Sequence, residues 1–167
     1  HDNARSDMAD GGIINMVIAQ YHQAPYPGAA LPELTYQREM SLHFNGGEIE
    51  LQHFSHAHTN GDTAVFFRKH NAVHLGDVFN NSGNPYVDVC SGGLNDGMKR
   101  FFTETLALID ELTVVIPGHG PVTDYARLGQ YLAMLRTVRD RIQGMIDDGK
   151  SLEEVSAAAP TADFDAI

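Results

Sequence analysis

Two histidines and one aspartate stand in short motifs that are typical of metal ligands. His58 lies in His-Thr-Asn-Gly-Asp, Asp77 in His-Leu-Gly-Asp, and His119 in Pro-Gly-His-Gly-Pro. Each motif comes where a predicted β-strand has just ended, so neighbouring strands would bring two imidazoles and one carboxylate to one edge of a sheet. Zn²⁺, Fe²⁺ and Mn²⁺ prefer these ligand types. The three motifs together predict a metal site.

Each of these residues also has an ordinary explanation. His58 alone is most simply a polar residue in a loop after a strand, and most of the nine histidines are expected to be ordinary surface or hydrogen-bonded groups. Asp77 at the end of a buried strand needs a cation or several donors to offset its desolvation, and a turn cap would serve as well. His119 is flanked by glycine and proline, which fix a loop at the carboxyl end of a strand, where α/β proteins often bind ligands. The shared strand-end position favours the metal site over three separate explanations.

Further polar residues close to these motifs are candidates for supporting roles. Thr59 and Asp62 follow His58, and Asp62 would cap or orient its loop. Asn80, Asn81 and Tyr86 follow Asp77 and would line a substrate pocket, because binding residues are often carried on loops. The alternative for this second segment is a plain polar connection.

The elements that would position these residues can be read from hydrophobic periodicity. Apolar residues alternate on both sides of Asn45-Gly-Gly, which predicts a β-hairpin. Residues 63–67 and 72–75 are two further predicted strands, and a helix capped by Asn95 or Asp96 leads into a strand at residues 113–116. The prediction is a mixed sheet.

The remaining segments are mostly helical. Residues 1–10 read as the tail of a helix, whereas residues 13–20 show no decisive period. Apolar residues recur every three or four positions from Leu128 to Met145, with Gly149 as the stop. A capping box at residues 151–154 opens a last short helix that should end before Pro160. The fold class is therefore α/β (α+β), with helices on one face of the sheet.

Composition limits the class of protein. With 167 residues, 43% of them hydrophobic and 20% charged, the chain has the size and apolar content of one domain. A net charge of -11 disfavours nucleic acids and anionic membranes as partners. No apolar run reaches the roughly 20 residues that cross a bilayer, so a soluble protein is expected. Cys90 is the single cysteine, which excludes an intrachain disulfide and a thiolate cluster, and Cys-Ser-Gly-Gly at residues 90–93 is predicted to be a turn.

The compartment stays open. The first residues lack the basic and apolar regions of a signal peptide, and the chain does not begin with Met, so we expect it to have been processed or excised from a longer polypeptide. Cytoplasm and periplasm both fit a soluble protein.

From about Leu42 to Thr123 the sequence resembles the metallo-β-lactamase superfamily, which folds as an αββα sandwich with a metal centre at one edge of its two sheets. His58 resembles the ligand of that family's third motif, Asp77 its bridging carboxylate, and His119 its final ligand. The opening His-Asp-Asn-Ala-Arg is similar to the end of the helix that follows the family's first sheet. The resemblance implies that residues 1–167 are a single incomplete domain, the C-terminal half of the sandwich.

The sequence departs from the family at its first motif, His-x-His-x-Asp-His, which supplies most ligands of the first metal and the aspartate that orients the attacking water. Residues 56–61 begin in the same way, but Asn60 and Gly61 stand in the places of aspartate and histidine. The later motifs fit His58 as a third-motif residue instead. We therefore expect weak or absent metal in this chain alone, and no catalysis by it alone.

The resemblance implies a parent protein that is a metal-dependent hydrolase of small molecules, with one or two zinc ions. A water whose pKa the metal lowers toward roughly 7 would attack an ester, thioester or amide. Fe²⁺ and Mn²⁺ suit the same ligands, and the family also contains iron-dependent oxidoreductases that act on persulfides. The alternative from another class is a non-catalytic fragment or assembly subunit with an empty site. In either case a lone half would expose an apolar sheet face, which predicts self-association or pairing with the missing half. The residues expected on this face are alternate ones among Met40, Leu42, Phe44, Ile49, Leu51 and either Phe66 or Phe67.

Overall fold

The computed structural model describes residues 1–16 and 19–164. Its α-helices are α1 Asp2–Asp10, α2 Asn95–Ala107, α3 Tyr125–Asp147 and α4 Leu152–Ala157. Its strands are β1 Gly12–Met16, β2 Ala19–Gln23, β3 Glu39–Phe44, β4 Gly47–Gln52, β5 Ala64–Phe67, β6 Ala72–His74 and β7 Val114–Ile116. The predicted hairpin is β3–β4, and the other predicted strands and helices are confirmed within one to three residues at most ends. The segment without a decisive period forms the antiparallel pair β1–β2, and its residues 17 and 18 lie outside the described residues.

The direction of the strands explains why distant motifs meet. The main sheet has the order β3-β4-β5-β6-β7, and each neighbouring pair is antiparallel except β6 and β7, which are parallel. Strands β4, β6 and β7 therefore run in the same direction, and their carboxyl ends lie at one edge of the sheet. The segments after these three strands carry the three metal-site motifs.

The core lies between this sheet and helices α2 and α3. Phe66 of β5 and Val73 of β6 are at most 1% exposed and belong to one buried cluster with side chains from both helices. Phe101 and Phe102 of α2 are fully buried, and Phe102 meets Tyr131 of α3 edge to face with 5.6 Å between ring centroids. Burying a side chain of this size contributes about 1.5–3 kcal/mol, so these rings fix the helices against the sheet.

The opposite face of the sheet is apolar as well. Cross-strand pairing places Leu42 opposite Ile49 and Ile49 opposite Phe67, so these three share that face. Leu42 is 38% exposed and Phe44 is 67% exposed, while Ile49 and Phe67 are half-buried. We call this surface the open face; its apolar members are Met40, Leu42, Phe44, Ile49, Leu51, Val65, Phe67, Ala72, Val114 and Ile116. Of the two alternatives at positions 66 and 67, Phe67 lies on the open face, because Phe66 points into the core.

The helix ends correct one sequence prediction. Neither Asn95 nor Asp96 caps α2: the helix begins at Asn95, and its N-cap is Leu94, which has no side-chain cap. Asp96 instead forms an ion pair with Lys99 at 2.6 Å. The capping box of α4 is present as predicted, with Ser151 and Glu154 bonded reciprocally. None of the helices within the described ranges combines the length and apolar character that crossing a bilayer requires.

Candidate metal centre

The three predicted ligands meet in one cleft at the carboxyl edge of the sheet. His58, Asp77 and His119 line a cleft of about 320 Å³. Its other lining residues are Asn80, Ser82 and Tyr86. The structure thus brings together side chains from positions 58 to 119, because the strands that precede them are parallel in direction.

Asp77 and His119 are in direct contact. Nε2 of His119 lies 3.2 Å from Oδ1 of Asp77, and the two side chains are 63% and 55% exposed. The expectation that Asp77 is buried is therefore wrong: the residues after it, Val78 and Phe79, enter the core and are at most 1% exposed, which turns the carboxylate outward. Phe79 is held edge to face against Tyr131, with 5.0 Å between ring centroids. The buried side chains of Val78 and Phe79 thus hold the exposed carboxylate of Asp77 in position.

Gly118 allows the two ligand loops to approach closely. Its backbone N–H donates to the carbonyl oxygens of Gly76 at 2.8 Å and of Phe79 at 3.1 Å. A Cβ at position 118 would lie 2.4 Å from Oδ1 of Asp77 and 2.5 Å from the carbonyl carbon of Gly76. Only a residue without a side chain fits here, so the glycine of Pro-Gly-His-Gly sets the distance between Asp77 and His119.

Asn81 joins the same two loops from the other side. Its backbone N–H donates to the carbonyl oxygen of His119 at 2.8 Å, and its amide Nδ2 donates to that of Pro121 at 2.8 Å. Nε of Arg127, in α3, donates to Oδ1 of Asn81 at 2.8 Å. The amide of Asn80 stays within its own loop, where Oδ1 accepts from the hydroxyl of Ser82 at 2.8 Å. Asn81 therefore supports the His119 loop, and Asn80 shapes the rim of the cleft.

His58 is held by its own loop and by the segment that contains Tyr86. Nδ1 of His58 lies 2.9 Å from the carbonyl oxygen of Tyr86, and the two rings are 5.7 Å apart between centroids. Asp62 orients the loop as predicted: Oδ2 accepts from the backbone N–H groups of Ala57 and Thr59, each at 3.0 Å, and Oδ1 accepts from the Thr59 hydroxyl at 2.9 Å. Both oxygens of Asp62 are engaged, so it supports the loop.

The side chains of His58, Asp77 and His119 are of the types that bind a divalent metal, but they are too few for a complete catalytic site. Two imidazoles and a carboxylate are the ligand types that zinc takes. Across residues 1–16 and 19–164, however, no three histidine, cysteine or carboxylate side chains stand close enough to hold an ion together. His119 and Asp77 form a pair, and His58 shares their cleft from a separate loop. Whether the three bind a metal stays a prediction.

Sequence reasoning missed some residues of this edge. Ser82 lines the cleft. Arg127, which lies 46 positions after Asn81 in the sequence, supports the edge from α3 through its hydrogen bond to Asn81. Asp88 supports the Tyr86 segment through hydrogen bonds to residues 90 and 91. Of these three residues, only Asp88 could have been identified from the local sequence. An aspartate whose side chain accepts from the backbone N–H groups two and three residues later is typical of a capped turn. That turn, at Val89–Ser91, confirms the prediction for the Cys90 segment.

No protein-family model matches the sequence, and no curated protein does. Solved structures do match. A metallo-β-lactamase from Pontibacter korlensis is 17% identical, with 64% of this chain and 50% of that chain covered and a TM-score of 0.56. The BLEG-1 B3 metallo-β-lactamase is 20% identical, with coverages of 67% and 53% and a TM-score of 0.55.

A third match has a different activity. The stereoselective inverting sec-alkylsulfatase Pisa1 from Pseudomonas sp. is 18% identical, with 77% of this chain and 22% of that chain covered and a TM-score of 0.58. The chain thus spans about half the length of the two lactamases and less than a quarter of the sulfatase. Likeness at this identity shows the fold alone: the five-stranded mixed sheet with its helices corresponds to half of a metallo-β-lactamase-like α/β fold.

Proposed function

We propose that this chain carries part of the active site of a metal-dependent hydrolase of the metallo-β-lactamase superfamily, with His58, Asp77 and His119 as metal ligands. The observation that carries the proposal is the contact of 3.2 Å between His119 and Asp77 in a cleft that His58 also lines. The fold supports it, since the same half-sandwich occurs in lactamases and in a sulfatase. The class of reaction is hydrolysis, with zinc as the first metal to test.

The protein's own residues would position the metal and the substrate. A divalent metal supplies Lewis-acid chemistry, which makes water nucleophilic at neutral pH. Asp77 contributes negative charge to the cleft beside His119, and the loops of Gly118 and Asn81 hold His119 in place. Ser82 and Tyr86 on the rim would contact the substrate. Further ligands would have to come from outside the three motifs, because catalytic zinc sites keep three protein ligands and two-metal sites need more.

Metal binding tests this proposal directly. Zinc content and zinc affinity should be measured for this chain and for the longest natural polypeptide that contains it. We expect weak binding by the chain and tight binding by the longer polypeptide, and His119→Ala should abolish the difference. The matched control is His70→Ala, since His70 is an exposed histidine in the turn after β5, at the other end of the sheet. Equal, negligible binding by both polypeptides would favour a non-catalytic assembly module instead.

The substrate class needs a separate assay with the zinc-loaded polypeptide. The proposal includes esters, thioesters and amides of small molecules, and the structural neighbours add a chromogenic β-lactam and a secondary alkyl sulfate to the panel. Hydrolysis that His119→Ala abolishes and His70→Ala preserves would support the proposal. If the polypeptide retains iron in preference to zinc and oxidises a persulfide, the oxidoreductase alternative would replace hydrolysis as the proposed reaction.

We also propose that a second sheet covers the open face in the functional protein, either from a longer polypeptide or from a second copy. Phe44 and Leu42 are exposed and Ile49 is only half-buried, and apolar area removed from water contributes about 25 cal/mol per Å². Sedimentation of the chain at micromolar concentration tests this proposal. We expect a concentration-dependent dimer, whereas a monomer at all concentrations would argue against a copy as the cover.

A further inference from the structure

The segment from Tyr86 to Gly93 forms a brace along the loop that carries His58. The backbone N–H of Asp88 donates to the carbonyl oxygen of His58 at 2.9 Å, and that of Asn60 donates to the carbonyl oxygen of Ser91 at 2.9 Å. Hydrogen bonds thus run in both directions between the two segments. The position of Tyr86 relative to the His58 ring depends on this brace.

The brace determines which ring nitrogen of His58 carries the proton. Nδ1 of His58 lies 2.9 Å from the carbonyl oxygen of Tyr86. A carbonyl oxygen can only accept, so Nδ1 must be the donor. In the neutral ring this leaves Nε2 with its lone pair, as a metal ligand requires. A histidine ring without such a partner populates both neutral tautomers.

Asp88 holds the brace in shape. Its Oδ1 accepts from the backbone N–H groups of Cys90 at 3.1 Å and Ser91 at 3.2 Å, and its Oδ2 accepts from the hydroxyl of Ser91 at 2.7 Å. Its carbonyl oxygen accepts from the backbone N–H of Gly93 at 2.8 Å. One residue therefore closes the turn and contacts the His58 backbone.

The fit between the brace and the His58 loop leaves no room for adjustment at Gly93. A Cβ there would lie 2.1 Å from the carbonyl oxygen of His58 and 2.9 Å from that of Asp88. The two segments are therefore in backbone contact, and a change in the turn at Asp88 must move either the brace or the His58 loop.

We infer that Asp88 is a positioning residue that keeps His58 in the tautomer protonated at Nδ1, with Nε2 free to bind a metal. The inference deepens the proposed function and rests on it for its biological meaning. Asp88 is not among the residues that line the cleft with His58, Asp77 and His119, and both of its carboxylate oxygens accept hydrogen bonds from the turn. It acts on His58 through Tyr86 and through the backbone.

The test reads the tautomer directly, in the full chain without metal. Long-range ¹H–¹⁵N correlation spectra of the His58 ring, at a pH where the ring is neutral, distinguish the two tautomers. In the wild type we expect Nδ1–H to dominate, and in Asp88→Ala we expect a mixture. Asp88→Asn keeps Oδ1 as an acceptor for the two N–H groups and should restore the wild-type spectrum.

A matched control separates positioning from general destabilisation. Asp110 also closes a turn, because Oδ1 accepts from Asn71 Nδ2 at 3.1 Å, the Leu112 N–H at 3.0 Å and the Thr113 hydroxyl at 3.0 Å. It lies before β7, at the other end of the sheet. Asp110→Ala should lower stability without changing the His58 spectrum. If Asp88→Ala fails to fold, Ser91→Ala removes one of the three bonds and should give a smaller shift toward the mixture.

The outcomes distinguish this inference from the proposed function. An unchanged His58 spectrum in folded Asp88→Ala, or the same change in Asp110→Ala, would overturn the positioning role. Zinc titration of the longest natural polypeptide is the second readout, and loss of such a supporting contact should weaken binding by roughly 10–100-fold. If the tautomer shifts as expected but no form binds zinc, the positioning role stands and the proposed metal function fails.

Discussion

Replacing Gly118 with alanine should separate the Asp77 and His119 loops. The new Cβ would lie 2.4 Å from Oδ1 of Asp77 and 2.6 Å from the carbonyl oxygen of Gly76, about 1 Å inside ordinary van der Waals contact. Gly76 is backbone and cannot turn away as a side chain can. The loops must therefore move apart, and the contact of 3.2 Å between Asp77 and His119 should be lost.

The cost can be worked from the contacts at Gly118. Inserting a methyl group into a packed region costs about 1–3 kcal/mol. The N–H of Gly118 donates to two carbonyl oxygens, at 2.8 and 3.1 Å, and weakening such a bond costs about 1 kcal/mol more. We expect the free energy of unfolding to fall by about 2–4 kcal/mol. At about 2–4 °C per kcal/mol for a chain of this size, Tm should fall by roughly 4–16 °C.

Urea unfolding followed by far-UV circular dichroism measures this loss, with Gly129→Ala as the matched control. Gly129 lies inside α3, and a Cβ there would meet no atom within 4 Å. Alanine in a helix interior is more stable than glycine by about 0.5–1 kcal/mol, so the control should gain stability. If Gly118→Ala unfolds at the wild-type urea concentration, the close approach of the two loops does not determine the geometry of the site.

Two further predictions concern hydrogen bonds that the structure shows. Asp62→Ala should lower the free energy of unfolding by about 1–3 kcal/mol in urea denaturation, because the N–H and the hydroxyl of Thr59 lose their acceptor and the N–H of Ala57 keeps only the carbonyl oxygen of Thr59. The hydrogen bond from Arg68 holds the pKa of Glu50 below its ordinary value. A carboxyl whose pKa is lowered on folding stabilises the fold above its unfolded pKa and loses that effect as the pH falls through the folded pKa. Arg68→Met should therefore be less stable than the wild type by roughly 0.2–1 kcal/mol at neutral pH, and the difference between urea midpoints should shrink in acid. The part that remains in acid comes from the other two contacts of Arg68, with the carbonyl oxygen of Leu108 and with the Phe66 ring. A difference that does not change with pH would refute the assignment.

The sequence was sufficient to predict that the three motifs lie at one edge of the sheet and line one cleft, for a physical reason. Strand alternation and the helix between β6 and β7 imply the parallel pair, and parallel strands end at one edge. Supporting contacts were harder to predict. The glycine before His119 indicated a rigid loop, but its close approach to Asp77 depends on the distance between two loops. Arg127 reads from the sequence as an ordinary helix residue, and its bond to Asn81 follows only from the packing of α3.

The burial of individual side chains could also be predicted only in part from the sequence. The alternation in β5 left Phe66 and Phe67 as equal candidates for the open face, and pairing with β4 and β6 decides between them. Asp77 was expected to be buried because it follows an apolar strand. Its side chain is 55% exposed, because the buried residues lie directly after it. The local sequence pattern determines whether a segment forms a strand or a helix. The exposure of a side chain at the end of a strand depends on how the neighbouring loops pack.

The cleft and the open face belong to the same sheet, which predicts that metal binding and pairing are linked. Strands β4 and β7 contribute Ile49 and Val114 to the open face, and the loops after these strands carry His58 and His119. A sheet that covers the face would therefore reach the edge at which the site lies and could supply the further ligands. A metal that binds the paired form more tightly must favour pairing to the same extent. We expect zinc to lower the dissociation constant of the dimer of this chain in sedimentation equilibrium. His119→Ala should remove this dependence on zinc and leave the zinc-free dimerisation unchanged. If zinc binds and the pairing constant does not move, the site is complete without the second sheet.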